Sequence, residues 1–217
     1  MNKDIDNIIG YWFGIDDGDV IDFVDVVEDR DGFWFAADSK VDQQIQHRFS
    51  DLVIEAGKGN LDAWAETARG SLALILLLDQ FTRNVYRGSS RAFSYDDQAR
   101  TICQQGIQQG FDRQLSSSER VLYYLPLEHS ELIADQQQCV HLFKRLAHNV
   151  EKKYDGEHTQ RFLSYVDYAI VHYDIILAFG RFPHRNILLG RESTLAESVY
   201  LKEGGAIFGQ EKINNIY

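Results

Sequence analysis

The sequence predicts an all-α fold: one helical domain over residues 1–217, with about eight or nine helices joined by short connections into antiparallel hairpins. Three observations carry that expectation. Apolar residues recur at three- and four-residue spacing along most of the chain. Strand-type alternation bounded by turn clusters is scarce. Only two prolines, Pro126 and Pro183, interrupt the 217 residues, and no Gly-, Ser- or Pro-rich linker divides them.

Taken in order, Asp4 to Phe13 reads as a first helix that Gly14 stops. An acidic loop region, 16–38, follows. Val41, Ile45, Phe49 and Leu52/Val53 repeat at helix spacing up to Gly57. Leu61–Ala68 and Leu72 to about Tyr86 form the next pair, with Gly70 between them. Residues 95–109 make a polar helix with Ala99, Ile102, Cys103 and Gly106 on one face. Ser116 and Glu119 have capping-box spacing and open a helix that continues toward Ala134, kinked at Pro126. Val140, Phe143, Leu146/Ala147 and Val150 mark a helix ending near Asp155-Gly156. Phe162, Val166, Ala169/Ile170, Tyr173 and Ile176/Leu177 mark a long one. Thr194 and Glu197 repeat the capping-box spacing and open the last helix, which Gly204-Gly205 interrupts.

Charge is unevenly placed. The 33 acidic and 22 basic side chains give −11, and residues 1–38 hold eleven of the acids against Lys3 and Arg30. Two short islands carry arginine and no acid: 81–91 with Arg83, Arg87 and Arg91, and 179–191 with Arg181, Arg185 and Arg191. The overall acidity argues against a nucleic-acid or anionic-membrane partner, because a phosphate backbone requires a broad basic surface. The longest apolar run, Leu72 to Leu78, is far short of the ~20 residues that span a bilayer. The N-terminus lacks the pattern of a signal peptide. Cys103 and Cys139 match no zinc or redox spacing, so reduced thiols and a cytoplasmic location are expected. No cofactor is expected, since no phosphate-binding glycine loop, dinucleotide fingerprint or nucleophile elbow is present. Asp29, Asp31, Gly32 and Asp38 echo part of a calcium loop but lack its bidentate glutamate, and no metal site is expected. The oligomeric state is left open.

Both islands contain Arg-Asn-x-x-x-Gly, at 83–88 and 185–190, each after an apolar helix. A repeated helical hairpin would place the two arginine sets across one concave surface; coincidence is the competing reading.

At these residues the chain resembles the bacterial domain-of-unknown-function family numbered 924. The resemblance lies in Leu77-Leu78-Asp79-Gln80-Phe81-Thr82-Arg83-Asn84, in Tyr124-Leu125-Pro126-Leu127-Glu128-His129-Ser130-Glu131, and in Phe179-Gly180-Arg181-Phe182-Pro183-His184-Arg185-Asn186 with Leu189-Gly190-Arg191-Glu192-Ser193-Thr194. Trp34-Phe35, Ile45 and Phe49 extend it over nearly the whole chain. It implies an all-helical, tetratricopeptide-repeat-like fold and no activity. The family pattern favours proline at the position of Thr82, which implies a looser turn after Phe81 here. The acidic stretch 16–31 is peculiar to this member.

The candidate ligand-binding residues are Arg83, Asn84, Arg87, Arg181, Arg185 and Asn186. Arginine offers a rigid fork of donors suited to carboxylate or phosphate, and asparagine supplies neutral donors and acceptors beside the charge. The expected partner is an anionic small molecule or an acidic peptide end. The competing reading pairs these arginines internally with helix acids such as Asp79, Glu128 or Glu131. Glu128, Glu131 and Asp135 fall on one face if the helix runs through, and would raise one another's proton affinity or form a salt-bridged face. The candidate catalytic residues are His129, with Glu131 orienting it, and His184. His172 reads as a hydrogen-bonded core histidine. Three functions follow: a binding protein for a small anion, an enzyme of hydrolase or transferase type acting on one, and an interaction scaffold without an enclosed pocket.

Overall fold

The computed structural model describes residues 2–14, 30–154 and 156–208. The acids from Asp16 to Asp29, and with them part of the calcium-loop echo, lie outside the described residues. Among the described residues there is no strand. The α-helical segments are α1 (Lys3–Phe13), α2 (Asp31–Phe35), α3 (Ser39–Gly57), α4 (Ala68–Ile75), α5 (Thr82–Val85), α6 (Asp96–Gln109), α7 (Ser117–Glu128), α8 (Ile133–Glu151), α9 (Glu157–Phe179) and α10 (Leu195–Lys202). A π-helical stretch, Leu76–Phe81, joins α4 to α5 in one continuous helix, so the described residues form nine helices.

Local chemistry explains most boundaries. Gly14 stops α1 at φ 72°, in the left-handed region, and returns its N–H to the Gly10 carbonyl. Both capping boxes form: Ser116 with Glu119 opens α7, and Thr194 with Glu197 opens α10.

Three expectations fail locally. Gly70 does not separate two helices. Thr67 caps α4 through a bond from the Gly70 N–H, and Gly70 sits in the first turn because a Cβ there would meet the Trp64 carbonyl oxygen. Before it, Asp62–Glu66 is a single 3₁₀ turn. No loose turn follows Phe81 either. Thr82 keeps a backbone N–H that a proline would lack, and both that N–H and its hydroxyl donate to the Leu77 carbonyl. Finally, α7 stops at Glu128, two residues after Pro126, and α8 begins at Ile133. The freed carbonyls are met by Gln136, whose Nε2 donates to the Glu128 and Ser130 oxygens at 2.6 and 2.7 Å.

The helices α6 to α9 pack consecutively, each on the next, while α4 lies against α1, α6 and α7, and α3 covers the π stretch. The run Leu72–Leu78 is entirely buried, and Trp12, Phe49 and Phe81 stack beside it with centroids 4.9–5.1 Å apart. Gly106 of α6 permits the close approach of α7, since a Cβ would meet the Tyr123 hydroxyl that bonds Ser71 at 3.0 Å. The helix α9 is long and apolar enough to cross a membrane by length and composition, yet Phe162, Tyr165, Val166, Ala169 and Ile176 are buried within the protein. Cys103 and Cys139 are free and buried, their thiols donating to the Tyr123 and Tyr124 carbonyls.

Candidate functional site

A partly open cavity of about 630 Å³ is bordered by α2, the helix from α4 to α5, α7, α9, the 3₁₀ turn Pro183–Arg185 and the segment 206–208. Its polar lining includes Gln80, Arg83, Asn84, Arg87, Glu128, His129, His172, His184 and Arg185; its apolar lining includes Trp34, Phe93, Phe143, Tyr165 and Phe208.

The two arginine islands do converge here. Arg83 forms a bidentate pair with Asp96, at 2.9 and 3.1 Å, and Arg185 reaches the same carboxylate at 3.4 Å. Other members are fully engaged at home. Arg87 clasps Asp42 at 2.6 and 2.9 Å, and Asn84 donates to the same carboxylate at 2.8 Å. Arg181 and Asn186 do not line the cavity. Arg181 pairs with Glu197 at 2.6 and 2.8 Å, and Asn186 donates to the Ser193 hydroxyl. Internal pairing thus accounts for most of the arginines, and the site is smaller than the full six-residue set.

Arg185 is the exception. It is 6% exposed, lies between the Phe93 and Phe182 rings with its guanidinium carbon 4.8 and 4.4 Å from their centroids, and among the described residues its Nε has no hydrogen-bond partner. Burial pulls its pKa down to about 10 against the opposing pull of Asp96, so it remains a cation at neutral pH.

Glu131 does not orient His129. Its carboxylate is held by Arg191 at 2.8 and 3.0 Å and accepts the Phe182 N–H at 2.8 Å, on the connection between α7 and α8. The single face of Glu128, Glu131 and Asp135 is likewise absent because the helix breaks between them; Asp135 is instead bonded by Ser130 and Gln104. The partner of His129 is Asp79, whose oxygens lie 2.8 and 3.0 Å from Nδ1. Asp79 is fully buried in the π-helical stretch. Burial alone would protonate it, but the Arg83 guanidinium at 3.2 Å, His129 and the Gln80 amide hold its carboxyl far below the usual range. His129 is neutral, its pKa lowered by burial and by Arg83. With Nδ1–H donating to Asp79, Nε2 carries the lone pair.

Glu128 is in the opposite state. Burial and the Asp79 charge push its carboxyl up to about 8, and His172 Nδ1 lies 3.5 Å from it. His172 is the hydrogen-bonded core histidine expected, donating to the Tyr168 carbonyl at 2.9 Å; burial lowers it to about 3. His184 is buried, its Nδ1 is unpartnered among the described residues, and its pKa is lowered to about 2 by burial and by Arg185. Phe208 closes the cavity over these rings, stacked on His172 at 3.8 Å. Among the described residues no group of three or more His, Cys, Asp or Glu is placed to hold a metal ion.

Sequence reasoning missed Asp79 as the histidine's partner, Asp42 and Asp96 as arginine partners, and the aromatic wall. One signal for Asp79 was present: it is the only charged residue between Gly70 and Arg83.

No curated protein matches the chain. It is similar to the solved structure of a protein of unknown function from Agrobacterium tumefaciens, with a TM-score of 0.75 and 36% sequence identity over 92% of this chain and 97% of that one. A family model described as bacterial protein of unknown function (DUF924) matches residues 8–205. With that match running from within α1 to beyond α10, the chain belongs to this bacterial family.

Proposed function

We propose that the cavity binds a small organic anion through Arg185, with the apolar part of the ligand against Trp34, Phe93, Phe143 and Phe208. The observation that carries this reading is the unpartnered Nε of a buried arginine on the cavity wall. A buried donor without an acceptor is costly, and a carboxylate supplies the acceptor in fork geometry. Asp96 competes only weakly for Arg185, because its short bonds go to Arg83. The volume falls in the range of small-molecule sites, which also favours binding over a pure scaffold. The surrounding frame reads as one domain of tetratricopeptide-like character, supported by an apolar cluster that draws on every helix from α1 to α9 and by the consecutive packing of α6 to α9.

Thermal shift with acetate, hexanoate and 3-phenylpropanoate tests the reading, with a short acidic peptide as a separate arm. The melting temperature rises with the size of the apolar body, and a ligand at about 100 times its Kd contributes about 2.7 kcal/mol. Arg185→Gln abolishes the response, whereas Arg181→Gln retains it. If no acid shifts the transition, or Arg185→Gln responds like the parent, the reading is wrong.

A further inference from the structure

We propose that His129 and Glu128 are the general base and general acid of a proton-transfer site that tautomerises a small 2-oxo acid seated in the cavity. The proposal rests on the anion reading above, in that Arg185 holds the substrate carboxylate.

Geometry supports it first. The two residues are consecutive at the C-terminal end of α7, and both line the cavity. The Asp79 carboxylate, itself clamped by Arg83 and Gln80, fixes the His129 ring and its tautomer. Among the described residues the His129 ring hydrogen-bonds through Nδ1 alone, and the residue lines the cavity, which leaves Nε2 for a substrate. A π-helical insertion such as the one carrying Asp79 is a frequent mark of functional sites. Among the described residues no cysteine or lysine lines the cavity, and the one serine that does, Ser164, donates to the Arg161 carbonyl. A ring-fixed neutral imidazole beside a protonated carboxylic acid offers proton transfer.

The protonation states agree. At neutral pH the base is neutral and the acid holds its proton, because burial acts on the two in opposite directions. His129 faces Asp79, Arg83, Arg185 and His172; Glu128 faces Asp79 and His172.

In the step, Nε2 of His129 takes a proton from the carbon next to the keto group. The C–H electron pair becomes the new C=C bond, and the carbonyl π pair moves to oxygen, which takes the Glu128 proton. The product is the enol, with His129 as imidazolium and Glu128 as carboxylate; the imidazolium proton exchanges with solvent, and the reverse transfer then restores both residues and leaves a solvent hydrogen on the carbon. No oxidant, reductant or second substrate is required. Asp79 acts as a positioning residue.

The test follows 3-phenyl-2-oxopropanoate and 2-oxohexanoate in D₂O by proton NMR, beside a thermal-shift measurement with the same acids. The wild-type protein accelerates exchange of the C3 protons by about 100-fold or more over buffer. His129→Gln loses that acceleration yet retains the thermal shift. Exchange falls below the depressed pKa of His129 and again above about 8, where Glu128 ionises. If the acids raise the melting temperature but exchange proceeds at the buffer rate, the acid–base assignment is overturned and the anion reading stands. If they produce no thermal shift, the anion reading fails and this proposal with it. Should His129→Gln fail to fold, the wild-type profile decides: exchange that tracks hydroxide alone overturns the proposal.

Discussion

Asp79 and Glu128 share one buried neighbourhood and hold opposite charge states, which shows what decides ionisation here. Asp79 has a guanidinium at 3.2 Å; Glu128 has a neutral imidazole at 3.5 Å and the Asp79 charge nearby. The consequence for stability has a definite sign. The unfolded Glu128 carboxyl titrates near 4.5 and the folded one near about 8, so between those values the folded state holds the extra proton. Its contribution to stability therefore declines by about 1.4 kcal/mol per pH unit as pH rises through that window. Glu128→Gln removes this decline. Urea unfolding between about pH 5 and 8 checks it, and an unchanged pH dependence in the variant would contradict the assignment. At this scale the sequence singled out His129 and Arg185, which the structure places on the cavity wall, because imidazole and guanidinium declare their chemistry by residue type. It paired His129 with the wrong acid because the true partner lies 50 positions away, on another helix.

Among elements, the capping boxes at Ser116 and Thr194 were legible because their hydrogen bonds span only three residues. The breaks at Gly70 and after Pro126 were not, since each depends on a contact the local pattern does not contain. Gly70 is dictated by the Trp64 carbonyl, and the stop after Glu128 is secured by the Gln136 side chain. The two kinds of boundary respond differently to mutation. Ser116→Ala loses one capping bond and costs about 1 kcal/mol. Gly70→Ala forces a methyl group against backbone that cannot swing aside, and costs about 2–3 kcal/mol. Denaturant melts of the two variants rank them; equal losses would mean that the Trp64 turn relaxes freely.

Over the whole molecule, the arginine islands contribute little free positive surface. Arg83, Arg87, Arg181 and Arg191 are each spent on a carboxylate, and two of those carboxylates, Asp42 and Glu131, lie 45 and 60 positions away. Arg161 adds a tie from α9 to Asp31 across 130 positions. The apolar periodicity that predicts helices is local, and it holds along α3, α8 and α9. The cavity is a convergence of α2, α4–α5, α7, α9 and residues 206–208, which no single segment announces.

The buried cysteines give this architecture a built-in clock. Burial raises both thiols well above their ordinary pKa, so the reactive thiolate is scarce in the native state. Each sulfur also sits in the shared core of α6, α7 and α8, so a reagent reaches it only when those helices part. Labelling by a disulfide reagent should proceed at the rate of that opening and become independent of reagent concentration at high excess. Two staggered phases would show that α6 and α8 separate from α7 at different times, whereas a single phase would show that they come apart together.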